Sequence, residues 1–386
     1  MVTYLTHKLI LDLIWFQLVV LVIVLSNILI LHRARSRGQL HHFPTVSILV
    51  PARNEERSIG GCIHSLLEQD YPTYEVIALD DQSSDSTFAI LEQIASSQPR
   101  LKVLVGTPPP NGMSGKNWAC AQLADQAQGN LLLFTDADTV FKPQALRLTV
   151  SAMLSQQADL LTGFPRQSVH TWGERLLVPF FSWAVLCFIP LWVAYRLRLP
   201  ALSSAVGQMM LFRREVYHKI GGHESLGAVI VDDLVLARQV KAAGLRWRVM
   251  NVADLITCRM YHESQEAFDG FAKNLFACFD FHLSIFLFVF TWLAVLFLEP
   301  LIVFVAWLLG LAPTAVLSEL VICIGLSLLL WLIPYIELGV PVSLGLVYPV
   351  TILANEVAAF QSLRLSMAGR LSWKGRSLER PKWKWF

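Results

Sequence analysis

Two carboxylates, Asp136 and Asp138, stand one residue apart just after the apolar run Leu131–Phe134. Acids at i and i+2 can turn hard oxygen ligands toward one divalent cation. Mg²⁺ or Mn²⁺ held by one or two carboxylates keeps its other positions for water and phosphate oxygens. That is a nucleoside-diphosphate site in outline. The plainer alternative has Asp136 capping a turn and Asp138 in solvent. A second acidic end lies upstream, where Tyr74–Leu79 runs into Asp80-Asp81-Gln82-Ser83-Ser84-Asp85. Acids there can accept hydrogen bonds from a ribose hydroxyl or a base N–H, so Asp80 and Asp81 are candidates to hold a nucleoside, while Asp85 reads as a helix cap. Lys116, in Ser114-Gly115-Lys116-Asn117 after the turn-rich loop Pro108–Gly112, begins a helix pattern and is a candidate cation for the diphosphate. The GxxxxGK[ST] spacing of a P-loop is absent.

The elements that must position these groups follow from periodicity. A short apolar run closed by acids reads as a buried parallel strand whose carboxyl end opens into a crevice. Val46–Pro51, the polar Ala52-Arg53-Asn54-Glu55-Glu56 and the amphipathic stretch Ile59–Gln69 open a βαβ unit. Tyr74–Leu79, a helix through Ile94 and a weak strand at Leu101–Val105 continue it. The expectation is an α/β fold with a doubly wound, mostly parallel sheet that brings Asp80, Asp81, Asp136 and Asp138 to one crevice.

The composition requires further elements beside one such domain. Of 386 residues, 54% are hydrophobic and 16% charged, against about 25% charged in an average soluble domain, so part of the chain lives in lipid. The net charge of +2 decides nothing. Six scattered cysteines, with no CxxC pair, read as reduced, cytosol-side thiols and exclude a disulfide framework or a zinc site. Leu11–Leu31 is long enough to span a bilayer and too long for the apolar core of a signal peptide. The basic flank His32, Arg33, Arg35 and Arg37 predicts that the domain after it is cytoplasmic.

Leu283–Leu311, Val316–Ile336 and Val340–Leu363 are further apolar stretches, and a basic tail follows with Arg364, Arg370, Lys374, Arg376, Arg380, Lys382 and Lys384. Tail and catalytic domain on one side require an even number of crossings between them. Two resolutions stay open: one stretch is re-entrant or interfacial, or the first breaks at Glu299-Pro300. Glu299, Glu319, Glu337 and Glu356 are expected to avoid lipid. The apolar Leu176–Leu199 lies between acidic motifs that must share one side. It is expected to lie in the interface, broken by Pro179 and Pro190, with a buried internal helix as the alternative. The expected division is an anchor over 1–35, a catalytic domain over 44–282 with the interfacial segment 176–199, membrane helices over 283–363 and the tail 364–386. The chain is thus expected in the cell inner membrane or its equivalent.

In order, VPARNEE, LDDQSSD, SGKNWA and FTDAD resemble the nucleotide-sugar half of family 2 glycosyltransferases. Ser204–Arg214, Gly221-Gly222-His223 and Val231-Asp232-Asp233-Leu234 resemble that family's acceptor side, and the likeness runs from Thr45 to about Phe276. It is most similar to the membrane-bound transferases of hopanoid, carotenoid and ceramide type, through Arg259-Met260-Tyr261, Gly270-Phe271-Ala272-Lys273-Asn274 and Trp373-Lys374-Gly375-Arg376. The resemblance implies a GT-A fold, Rossmann-like with a mostly parallel sheet, plus transmembrane α-helices. It implies that Asp233 is the catalytic base with Asp232 beside it. It also implies that Pro51, Ala52, Asn54, Glu55, Asp80, Asp81, Lys116, Asp136, Gln208, Arg259 and Lys273 line the nucleotide-sugar site. The QxxRW sequence of processive synthases and ceramide glucosyltransferase is absent.

The resulting expectation is an inverting hexosyltransferase. Mn²⁺ or Mg²⁺ on Asp138 and Asp136 would serve the diphosphate. The donor would be a nucleotide sugar, with UDP-glucose the family's commonest, and the acceptor a hydroxyl on a membrane lipid. A soluble acceptor would not require a membrane-built enzyme. Polyprenyl-phosphate sugar synthesis and polysaccharide synthesis use the same donor site, and a dead transferase fold is the non-enzyme alternative. Nucleic acid is not an expected partner.

Overall fold

Alternate residues of the first strand feed different cores: Val46, Ile48, Val50 and Ala52 pack into one, Leu49 into the other. A strand buried on both faces belongs in the middle of a layered α/β structure. The structure, a computed structural model, describes residues 2–31, 42–374, 376, 377 and 381–385. The basic flank His32, Arg33, Arg35 and Arg37, and Gly375 and Arg380 of the tail, lie outside the described residues.

The chain runs α1 (Val2–Ile30), β1 (Val46–Ala52), α2 (Ile59–Leu67), β2 (Tyr74–Asp80), α3 (Thr87–Ala95), β3 (Leu101–Val105), α4 (Gly115–Gln126) and β4 (Leu131–Phe134). It continues through β5 (Thr139–Phe141), α5 (Ala145–Ser155), β6 (Leu160–Phe164), β7 (Arg166–Gln167), α6 (Trp172–Phe188), α7 (Leu191–Arg196), β8 (Met210–Arg213) and α8 (Arg214–Lys219). Then come α9 (Asp232–Ala242), β9 (Trp247–Asn251), β10 (Ile256–Cys258), α10 (Ser264–Asn274), α11 (Leu283–Leu308), α12 (Leu317–Leu338), α13 (Ser343–Leu346) and α14 (Tyr348–Ala368). The short strands β11 (Ser372–Trp373) and β12 (Arg376–Ser377) pair as a hairpin.

The main sheet has the order β3-β2-β1-β4-β8-β6-β9 and is parallel except at β8. The reversal of strand order beside β1 and β4 is where such sheets open a ligand crevice at their carboxyl ends. A second sheet, β5-β10-β7, stands beyond that edge and carries Arg259 directly after β10.

Among the described residues, three helices are long and apolar enough to cross a membrane: His7–Ile30, Leu283–Leu308 and Thr314–Leu338. They are fused to the domain. Trp183 of α6 stacks on Trp331 of α12 with ring centroids 3.9 Å apart, and its indole N–H donates to the Leu330 carbonyl at 2.9 Å. Asn27 of α1 donates to the Leu186 and Ile189 carbonyls, each at 2.8 Å, satisfying acceptors that the end of α6 leaves open. Of the two proline breaks expected within 176–199, the structure has one. Pro179 lies inside α6, which continues past it, and Pro190 separates α6 from α7. Most of α6 is buried, whereas Trp192, Leu197 and Leu199 are exposed. Likewise α11 runs unbroken through Pro300, because close helical neighbours tolerate a proline in such settings. The third apolar stretch becomes α13 and α14, and α14 lies along the domain, its Asn355 donating to the Leu176 carbonyl at 3.1 Å. Of the acids in the apolar stretches, Glu337 meets Asn251 of β9, whose amide donates to its carboxylate at 2.8 Å.

Candidate active site

The end of β1 and the turn after β2 interlock before any ligand is considered. Asn54 takes a left-handed backbone (φ 51°), costly for most side chains but tolerated by asparagine when its amide bonds locally. Here its Oδ1 accepts from the Ser84 backbone N–H at 2.8 Å, and its own N–H donates to Ser83 Oγ at 3.0 Å. The Asp81 N–H donates to the Ala52 carbonyl at 2.8 Å. Strand ends β1 and β2 thus form one rigid wall.

That wall and the end of β4 enclose a polar cleft of about 680 Å³, lined by Pro51, Ala52, Asn54, Glu55, Asp81, Lys116, Asp136, Asp138, Arg259 and Lys273. A smaller cavity of about 220 Å³ adjoins it, with mostly apolar walls such as Val178, Phe181, Ile230 and Phe271, and with Gln208, Asp232 and Asp233. Lys116, Asp136, Met260, Tyr261 and Lys273 line both spaces. The two compartments meet at Gly207: a Cβ built on it would lie 3.4 Å from both Asp136 Oδ2 and Lys116 Nζ, and 3.6 Å from Asp233 Oδ2.

Most of the candidate residues read from the sequence are therefore brought to one junction. Asp80 is not among the cleft's lining residues: one oxygen accepts from the Ser83 N–H at 3.2 Å, and the other is buried without a hydrogen bond among the described residues. Gln208 faces the apolar compartment, where its Oε1 accepts from Gln167 at 2.8 Å. Arg259 is held 3.6 Å from the buried Glu174, which also forms a capping box with Thr171 at the start of α6.

The two acids at the start of α9 are treated differently by their surroundings. Asp232 has Lys116 and the His223 imidazole each at 3.5 Å, and although burial opposes it, these hold its carboxyl well below the usual range. His223 is fully buried and bonded to the Tyr217 hydroxyl at 2.9 Å; burial pushes its pKa down. Asp233 accepts from the Gly207 N–H at 3.0 Å and the Leu234 N–H at 2.7 Å, yet burial and the charge on Asp232 push it up to about 7. Neighbouring carboxylates with separated pKa values can divide an anchoring task from a proton-accepting one. Burial, then the charge on Lys116, also pushes Lys273 down to about 8.

Asp136 is paired with Lys116 at 3.1 Å, and Glu55 with Lys374. Among the described residues, the Asp138 carboxylate receives the Cys258 thiol, Sγ to Oδ1 3.4 Å, and burial with the charges on Asp136 and Glu55 pushes it up to about 7. A divalent cation would relieve this crowding of acids. Among the described residues no group of three His, Cys, Asp or Glu side chains could hold a metal by itself. The donor set is two carboxylates, which fits a cation completing its shell with water and phosphate oxygens and does not fit an all-protein cage.

No spacing in the sequence marks His223, Glu174, Cys258 or Arg53 for a role, and only the fold brings Lys374 to this cleft and Arg376 to Asp81 in its wall. Their signal was weak. Only the Trp373-Lys374-Gly375-Arg376 string stood out from a tail that reads as uniformly basic.

The model of the family described as glycosyl transferase family 2 matches residues 47–221. The 4,4'-diaponeurosporenoate glycosyltransferase of Staphylococcus aureus (strain USA300) is 27% identical over 247 residues, 63% of this chain and 64% of that protein. The match thus spans about 64% of that relative's length. The mannosyltransferase PcManGT from Pyrobaculum calidifontis, solved in complex with GDP-Man and Mn²⁺, superposes with a TM-score of 0.53 at 17% identity, covering 93% of this chain and 98% of that one. This likeness shows a shared GT-A fold.

Proposed function

We propose, on the premise that this chain carries a family 2 glycosyltransferase domain, that it moves a hexosyl group from a nucleoside-diphosphate sugar to a hydroxyl of a membrane lipid with inversion. The observation that carries this reading is the junction at Gly207, where a polar, cation-lined cleft meets an apolar cavity holding a carboxylate. The carotenoid acceptor named for the Staphylococcus relative supports an apolar, lipid-like substrate. Hopanoid-, carotenoid- and sphingolipid-like hydroxyls are the acceptor class, and glucose from UDP-glucose is the expected sugar.

The cleft supplies donor binding. Asp81, on the cleft wall, is the candidate to accept from a nucleoside's N–H or hydroxyl groups with the lone pairs that Arg376 leaves, while Asp80 lies behind that wall. Lys116, Arg259 and Lys273 supply positive charge for the diphosphate. Asp138 and Asp136 would hold Mn²⁺ or Mg²⁺, which when bound supplies Lewis-acid stabilisation of the leaving diphosphate. On the other side, Asp233 accepts the proton of the acceptor hydroxyl as its oxygen attacks the anomeric carbon, a general-base role worth about 10²–10⁴ in rate. The Gly207 N–H and the Leu234 N–H orient that carboxylate. A single displacement from the face opposite the leaving group inverts the anomeric centre. The apolar walls keep bulk water, the competing nucleophile, from the reacting carbon.

The test is transfer of labelled sugar from UDP- and GDP-sugars into the organic-extractable fraction, using purified chain and mixed membrane lipids with Mn²⁺. Incorporation that is abolished by chelator and restored by added metal supports the reading. Label that stays in water with every donor contradicts it.

A further inference from the structure

Two cations in the neighbourhood of the donor cleft come from beyond the last long helix. Lys374 forms an ion pair with Glu55, and its Nζ donates to the Arg53 carbonyl at 2.7 Å while Arg53 Nε donates back to the Lys374 carbonyl at 3.4 Å. Arg376 grips Asp81 with both ends of its fork, Nη1 at 2.6 Å and Nη2 at 3.1 Å, and Nη2 also donates to Gln82 Oε1 at 3.2 Å. The chain leaves space for this grip: a Cβ on Gly115, at the start of α4, would collide with the Arg376 guanidinium. Lys374 also lines the cleft on the side of Asp138 and Glu55, the corner where a diphosphate has to lie if Asp138 and Asp136 hold its cation.

The two cations are not equivalent. Arg376 makes a bidentate contact with a carboxylate that is only 4% exposed, an arrangement that resists exchange. Lys374 is a point charge on a flexible stem, and its partner Glu55 is 25% exposed. A single, partly exposed ion pair is weak, and a diphosphate offers a lysine more charge and more acceptor oxygens than one carboxylate does.

We propose that Lys374 is a donor-binding residue that leaves Glu55 for the diphosphate of an incoming nucleoside-diphosphate sugar, and that Arg376 is the positioning residue that pins the tail to the cleft through Asp81. The inference rests on the reading of the polar cleft as a donor site. It makes the sequence after the membrane helices part of the substrate site and gives Glu55 the role of holding Lys374 until the donor arrives.

The experiment measures binding of UDP and GDP, each with Mn²⁺, to the full chain in detergent micelles, with uridine and guanosine followed in parallel by ligand-observed NMR. Lys374→Gln is expected to weaken diphosphate binding by about tenfold to a hundredfold, as for loss of one charge-assisted hydrogen bond, and to leave nucleoside binding unchanged. Lys374→Arg, which keeps the charge, should recover most of the loss. Glu55→Gln, which removes the carboxylate competing for Lys374, is expected to bind the diphosphate more tightly than wild type, and equal or weaker binding overturns the inference even if Lys374→Gln fails to fold. Gly115→Ala, which displaces Arg376, should weaken diphosphate binding as well. A wild type that binds UDP or GDP alongside an unaffected or tighter Lys374→Gln overturns the inference alone, as does a Glu55→Gln variant that binds the diphosphate no more tightly than that wild type. A wild type that binds neither nucleotide overturns the donor-site reading and the inference with it.

Discussion

Asp233 and Asp232 are neighbours in sequence, and their surroundings drive them apart. Lys116 and His223 keep Asp232 ionised, and burial with that fixed charge raises Asp233 to about 7. A base works only when deprotonated, so raising the pH through about 7 should increase the transfer rate to a plateau, the ascending limb of a pH–rate profile. Asp232→Asn removes the neighbouring charge and should move the midpoint of that limb to lower pH, as initial rates across the range would show; an unmoved midpoint contradicts the assignment. Asp233→Asn should lower kcat by about 10²–10⁴ with nucleotide affinity retained, because Asp233 lies in the apolar compartment and not on the walls of the polar cleft. These acids were legible in the sequence because they follow short apolar runs or open a helix. The local environment that separates their pKa values was not. It depends on His223, which the loop between Gly222 (φ 51°) and Gly227 (φ 57°) turns into the core, and no spacing rule connects that residue to Asp232.

At the scale of elements, α6 decides how the domain meets the long helices. Trp183 is fully buried, stacked on Trp331 and edge-on to Phe297 at a centroid distance of 5.6 Å. Trp183→Ala should cost about 3–5 kcal/mol, seen as a lower thermal midpoint in detergent. The exposed Trp192→Ala should change stability by no more than about 0.5 kcal/mol. Equal effects of the two would contradict the packing of α6. The strands β1 to β4 were readable almost to the residue, because each couples an apolar run to an abrupt polar end. The burial of α6 was legible only as an alternative to an interfacial position, for a physical reason: hydropathy measures dislike of water and cannot distinguish lipid from the inside of a protein. Prolines misled in the same way, since Pro179 and Pro300 sit inside helices whose neighbours compensate for the lost backbone bond.

For the whole molecule, the parity of membrane crossings is the deciding constraint. Lys374 touches Glu55, so the tail and the catalytic domain share a side, and among the described residues α11 and α12 are the two candidate spans between them. A membrane-impermeant maleimide should therefore reach cysteines placed at the exposed Val140 and Trp383 from the same face of sealed vesicles. The described native cysteines are buried or half-buried and provide a low background. Labelling from opposite faces would contradict the arrangement. The sequence left this parity open because α14 is apolar enough to resemble a third crossing, while in the fold its Asn355 and Ser362 bond to Leu176 and Phe276 of the domain. Polar cleft, apolar cavity and membrane helices together support one proposal, that a sugar is moved from a soluble nucleotide to a lipid. The measurement that tests it most directly is mass spectrometry of lipid extracts from cells expressing wild type, Asp138→Ala or Asp233→Asn. The account predicts a lipid heavier by one hexose in wild type that is lost in both variants, whereas indistinguishable lipids in all three would contradict it.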